Sequence, residues 1–191
     1  MSSQVEPRYT VAEYLALERK AEYKSEYFDG EIIAMTGASE KHNLIVTNVI
    51  GELRQGLKER PCRVYPSDMR VKIPRTRTYV YPDVVVVCEE PKFDDDYRDT
   101  LLNPLLIVEV LSESTESYDR GRKFIQYRKI DSLSEYILVA QDDYRVEQYI
   151  RQADNHWLLT EFQGLETNIN LISIQCELAL REIYHKVVIK G

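Results

Sequence analysis

Cysteine is scarce in this sequence. Its 191 residues hold three, Cys62, Cys88 and Cys176, odd in number and far apart. No C-x-x-C pair occurs, which argues against a zinc cluster. So few thiols predict a reducing compartment, with Cys88, at the end of an apolar run, as a core thiol. Histidine is equally sparse, at three residues, and no multi-His spacing suits zinc. Long apolar runs are missing too, none approaching the ~18 residues of a membrane helix. The opening stretch MSSQVEPRYT lacks the apolar segment of a secretory leader. These absences predict a cytoplasmic protein with no membrane partner. No internal repeat or low-complexity linker breaks the chain. Its length and its 43% hydrophobic content predict a single domain over residues 1–191.

Positive charge is in short supply overall: the formal net charge is -7 and the pI about 5.1. Such an average disfavours a polyanion as partner unless Lys and Arg cluster locally. They do in two places. Residues 60–77 carry six Lys or Arg against Asp68, and residues 119–129 carry five against Asp119. The stretch EEPKFDDDYRD, residues 89–99, is acidic. A charge run is most often a solvated face. The alternative is that Arg70, Lys72, Arg75, Arg77, Arg120 and Arg122 border a site for a polyanion. Aromatics are dominated by 14 tyrosines, which suit core rims and interfaces as well as stacking on bases.

Local patterns give the elements. YTVAEYLALERK opens with a capping box, Thr10 and Glu13, and predicts a short helix with Val11, Tyr14 and Leu15 on one face. Asp29-Gly30 between two apolar-rich runs predicts a hairpin. His42, Ile45, Val46, Val49, Leu53 and Leu57 recur at helical spacing, predicting an amphipathic helix from about Ser39 to Glu59. CRVYPSDMRVKIP alternates as strands do. YVYPDVVVVCEE and PLLIVEVLS are apolar throughout and predict central strands covered on both faces. ESYDRGRKFIQYRKI reads as helix. SEYILVA, YRVEQYI and HWLLTEF read as a meander, and the last twenty or so residues as a short strand and a helix. The fold class is α/β (α+β mixed): a mixed β-sheet flanked by helices, with an antiparallel meander.

Each of the two central runs carries one carboxylate, Asp83 at the start of its run and Glu109 inside LLIVEVL. A buried, unpaired carboxylate costs several kcal/mol or more. Glu109 is therefore paired with a cation, protonated, or bound to a metal. If the strands are neighbours, the two carboxylates converge and repel unless a cation lies between them. Magnesium takes hard oxygen ligands, one or two of them carboxylates. Lys123 follows on the next helix, where an ammonium could stabilise charge developing on a phosphate oxygen.

A Pro-Asp on one strand, an apolar strand carrying Glu, then a Lys resembles the PD-(D/E)XK nuclease superfamily and its restriction-endonuclease-like fold. More closely, the chain resembles the Uma-type family of endonucleases. The matching pieces are YTVAEYLALE, KSEYFDGEIIAMTGASEKHNLI, YPDVVVV, NPLLIVEVLSESTESYDRGRKFIQY and SEYILVA, covering roughly residues 9 to 140. The resemblance implies hydrolysis of DNA phosphodiester bonds with Mg, or Mn, as cofactor. It implies Asp83 and Glu109 as metal ligands, Lys123 as a lysine moved onto the helix, and Glu26 and His42 as further site residues. Arg70, Lys72, Arg120 and Arg122 are the candidate nucleic-acid contacts.

Two departures stand out. The lysine usually found two residues after the Glu is replaced by Leu111, and Glu113 stands where the family tends to have Pro. Leu111 leaves open a catalytically impaired nuclease-fold module that binds nucleic acid or regulates a partner. A metal-free hydrolase using Asp83 and Glu109 as acid and base is a third reading. A homodimer is expected if both strands of a duplex are cut. Lys123 is expected to face Glu109, with Tyr127 one turn on, and its removal to leave folding largely intact.

Overall fold

A computed structural model describes residues 8–112 and 116–189. The first seven residues and Glu113 lie outside the described residues. Helix α1 (Val11–Glu18) begins where the capping box requires: Thr10 and Glu13 satisfy each other's backbone N–H groups. Strands β1 (Ser25–Phe28) and β2 (Glu31–Ala34) form the expected hairpin, with Asp29 and Gly30 both at positive φ. Helix α2 (Glu40–Gly56) is capped by Ser39 and buries Ile45, Val49 and Leu53.

Most of the strands sort into two large sheets. One has the order β2-β1-β5-β4-β7, with β4 (Arg70–Ile73), β5 (Thr78–Val80) and β7 (Thr100–Leu101). The other contains β3 (Arg63–Pro66), β6 (Val84–Val87), β8 (Leu106–Leu111), β9 (Glu135–Ala140), β10 (Arg145–Arg151) and β11 (Trp157–Gln163). Its order is β11-β10-β9-β8-β6-β3, so the two carboxylate-bearing runs do become neighbours. The four valines divide between two cores. Val84 and Val86 pack with α2; Val85 and Val87 pack against the other sheet, with Phe28, Val71 and Leu101. That two-sided burial explains why the run is uniformly apolar.

Strands β8 and β9 are parallel, so the chain must cross over between them. It does so through α3 (Glu116–Tyr118), a π-helical turn (Asp119–Lys123) and α4 (Phe124–Tyr127). A wide turn of this kind commonly marks a functional position within a helix. The meander β9-β10-β11 is antiparallel as expected.

Two expectations are corrected. The C-terminal stretch forms a hairpin, β12 (Asn168–Leu171) and β13 (Cys176–Ala179), before the four-residue helix α5 (Leu180–Ile183). Cys176–Ala179 pairs along β12, and that pairing overrides its helical appearance. Cys88 is not a free core thiol: it forms a disulfide with Cys62. Arg63 and Val87 are cross-strand partners, so residues 62 and 88 are the next pair out on β3 and β6. The bridge closes a 26-residue separation; by loop entropy it should stabilise the fold by about 3 kcal/mol, read as the drop in urea-unfolding free energy on adding reductant.

The first sheet is tied to α1 by a partly buried ion cluster. Arg70 lies in the core, donating to Thr100 Oγ1 at 2.9 Å and to the Tyr81 hydroxyl at 3.1 Å, and pairing with Asp99 at 3.0 Å. Arg19 also binds Asp99, at 2.8 Å. Burial pushes the Asp99 carboxyl up, but hydrogen bonds from Arg19 and Thr100 and the charge of Arg70 outweigh it and hold it at about 2. A depressed carboxyl stabilises the fold above its unfolded value near ~3.9, and that stability is lost as pH falls toward the folded value. Asp99 is one-third exposed, so the loss between about pH 4 and 2 should be on the order of 1–2 kcal/mol. Urea unfolding across that window should show Asp99→Asn flattening the decline.

Candidate active site

Register alone sets Asp83 against Glu109. Val84 pairs with Val108 across β6 and β8, so the next pair toward the start of β6 is residues 83 and 109. Their contacts interlock. The Val110 N–H donates to Asp83 Oδ2 at 2.7 Å, and the Asp83 N–H approaches Glu109 Oε2 at 3.4 Å. Glu109 is buried and Asp83 nearly so. Position 109 shares its strand face with Ile107 and Leu111, on the side of the crossover helix.

That helix brings the cation. Asp119, Lys123 and Tyr127 follow at four-residue intervals, and all three are buried. Lys123 Nζ lies 2.9 Å from Glu109 Oε1, 3.2 Å from Glu26 Oε1 and 3.6 Å from Asp119 Oδ1. The Tyr127 hydroxyl donates to the same Glu109 Oε1 at 2.7 Å. Glu26, on β1, also accepts from the Tyr118 hydroxyl at 2.8 Å and from the Tyr81 N–H at 3.1 Å. On the far side of the sheet end, His42 Nε2 lies 3.0 Å from Asp83 Oδ1. Five residues picked from the sequence thus form one chain of contacts: Glu26, Lys123, Glu109, Asp83, His42.

The charge balance of this cluster is its main chemical property. Burial works against the Lys123 ammonium, but Glu109 and Glu26 outweigh it and keep it protonated well above the ordinary lysine value. Burial pushes the Glu109 carboxyl well above the carboxylate range; Asp119 and Asp83 push the same way, while Lys123 and the Tyr127 hydroxyl pull it down. Several carboxylates share one ammonium. Among the described residues no group of three or more His, Cys, Asp or Glu has metal-holding geometry. Two carboxylates supply only hard oxygens beside an excess of negative charge, a donor set that fits Mg or Mn rather than zinc. The two oxygens of Glu109 are used differently: Oε1 is taken by Lys123 and Tyr127, and Oε2 faces Asp83.

The candidate nucleic-acid contacts do not join the cluster. Arg70 is 1% exposed and held by Asp99, Thr100 and Tyr81, which leaves no surface for a phosphate. Lys72 is paired with Asp94. Arg120 is held between Glu116 and Glu147. Arg122 is half-exposed and paired with Glu31. Tyr127 lies one turn beyond Lys123 as expected, whereas the contacts of Tyr118 and Asp119 with the cluster were not expected. The only available signal was the four-residue spacing that puts Asp119 and Tyr127 on the Lys123 face.

Lys123 is more structural than its sequence context implied. Removing it leaves three carboxylates in a buried place, so Lys123→Met should cost about 3–5 kcal/mol in urea unfolding. Joined with Glu109→Gln, the loss should be smaller than the two single losses added together. A coupling energy near zero in that double-mutant cycle would show that the pair does not interact.

The comparisons with known proteins agree with one another. The family model described as "Uma2: Putative restriction endonuclease" matches residues 11–181. Two relatives come from Synechocystis sp. "Uncharacterized protein sll1609" is 45% identical over 160 residues, covering 84% of this chain and 90% of the relative. "Uncharacterized protein slr1290" is 36% identical over 178 residues, covering 93% and 92%. A crystal structure of "a putative nuclease belonging to DUF820" from Anabaena variabilis superposes with a TM-score of 0.78 at 18% identity, over 94% of this chain and 99% of the other. At that identity the likeness is one of fold, and the fold is restriction-endonuclease-like.

Proposed function

The chain belongs to the Uma2 family, and from that premise we propose that it is a metal-dependent endonuclease that hydrolyses phosphodiester bonds of DNA at the cluster around Glu109. The observation that carries the reading is the buried excess of carboxylate: Asp83 and Glu109 interlock across adjacent strands with Lys123 2.9 Å from Glu109. Asp83 and Glu109 would hold Mg or Mn. Bound there, the ion would supply Lewis-acid polarisation of a phosphoryl oxygen. Lys123 contributes a fixed positive charge for the negative charge that develops on the phosphate. Glu26 and Asp119 hold Lys123, and His42 holds Asp83.

Leu111 stands where the orthodox lysine would, two residues beyond Glu109 on the same strand face. Lys123 reaches Glu109 from the crossover helix instead, which favours an active nuclease over an impaired module. Cutting both strands of a duplex calls for two such sites, and a symmetric pair of chains would supply them.

Nicking of supercoiled plasmid with Mg or Mn tests the proposal. Glu109→Gln and Asp83→Asn should abolish nicking. Lys123→Met, assayed on protein with the wild-type circular dichroism spectrum, should lower it by roughly 10²-fold or more. Wild-type protein that binds DNA but fails to nick it, whichever divalent metal is added, would favour the binding module.

A further inference from the structure

An open groove lies away from the carboxylates. It has a volume of about 630 Å³ and runs between the turn joining β4 to β5 and the end of the crossover helix. Arg75, Arg77 and Lys129 line it, with Gln126 and Asp29. Three cations stand against Asp29 in the lining and Asp131 at its edge, a small positive excess in a chain whose net charge is -7. We propose that this groove holds the DNA backbone beside the cleavage site, taking phosphates a few nucleotides from the one that is cut. The proposal rests on the nuclease reading above.

Three features support it. First, the walls of the groove continue the segments that carry the site. Gln126 lies three residues beyond Lys123, roughly 5 Å along a helix. Asp29 lies three residues beyond Glu26, roughly 10 Å along a strand. Phe28 pairs with Thr78, which sets Asp29 beside Arg77. Successive base pairs advance by ~3.4 Å, so the groove is within a few nucleotides of Glu109. Second, Arg122 bridges the gap: it is adjacent to Lys123 in the chain and its guanidinium lies 4.5 Å over the Phe28 ring.

Third, the arginines are available. Arg75 pairs with Asp131 with both side chains about 70% exposed, and Arg77 with Asp29 with both about 65% exposed. Exposed pairs of this kind contribute ~0–1 kcal/mol. A phosphate can replace such a carboxylate and be gripped by the guanidinium fork through two hydrogen bonds. Arg70, Lys72 and Arg120, in contrast, are committed to buried or half-buried acids.

The test is fluorescence anisotropy of the full chain with a labelled 30-base-pair duplex, in EDTA, over a series of salt concentrations. Arg75→Ala/Arg77→Ala should weaken binding by 10-fold or more at low salt. It should also reduce the slope of log affinity against log salt by about two. Both arginines are exposed, so the variant should fold, with the circular dichroism spectrum and melting temperature of wild type. Unchanged affinity and slope would overturn the groove, as would weaker binding with an unchanged slope. So would a wild-type chain that shows no binding to the duplex at low salt. None of these three results touches the carboxylate site, which stands or falls by wild-type nicking.

Discussion

One buried ammonium organises the centre of this protein. Lys123 is nearly inaccessible to water and touches carboxylates from a strand of each sheet and from its own helix. An isolated charge in such a place would be expelled or neutralised. Here each partner exists to hold the other. Glu26 fixes the first sheet relative to the crossover helix, and Glu109 fixes the second. The aromatic hydroxyls of Tyr118 and Tyr127 satisfy oxygens that the ammonium leaves over. Hydrophobic side chains of the same size would stabilise the layer as well or better. A buried ionic cluster at a junction of three elements is therefore better explained by what it does than by what it contributes to stability.

The sheets supply the precision. Asp83 and Glu109 sit on a cross-strand pair, where Cβ atoms are ~5 Å apart by construction. Each is fixed by the backbone of the other's strand: the Val110 N–H holds Asp83, and the Asp83 N–H faces Glu109. A one-residue slip would throw both onto the opposite face. Four identical side chains cannot prevent that slip by themselves, since valines would still fill both cores. It is opposed at the ends of the run, where the Val110 N–H holds Asp83 and Cys88 is bonded to Cys62.

Much of this was readable in the sequence, and the reasons are local. A capping box, an Asp-Gly turn, a helical apolar stripe and uniformly apolar strands each act over a few residues. They gave α1, the first hairpin, α2 and the central strands at close to their observed limits. Glu109 announced itself because a charge inside LLIVEVL needs a partner. Lys123 was expected to face it from helical spacing; the π-helical turn at Asp119–Lys123 was not, because no sequence signature separates it from ordinary helix. The β13 strand was hidden because its pairing with β12 is tertiary. The disulfide was hidden because residues 62 and 88 meet only once β3 and β6 are in register.

Charge patterning misled for a physical reason that applies widely. The basic stretches at 60–77 and 119–129 look alike in the sequence, yet their members differ in what surrounds them. Alternation along β4 turns Arg70 inward onto Asp99, while Arg75 and Arg77, in and after the turn, remain outside. In the helix, Lys123 faces the sheet and Arg120 reaches β10, but Arg122 points outward. An acidic chain uses many of its cations to neutralise its own carboxylates, and those cations have no field left to offer a polyanion. Affinity for a phosphate backbone then depends on the few cations whose acidic partners are solvated enough to be exchanged. Arg75 and Arg77, where a strand turn and a helix end meet, are two such cations that lie beside the site and not inside it.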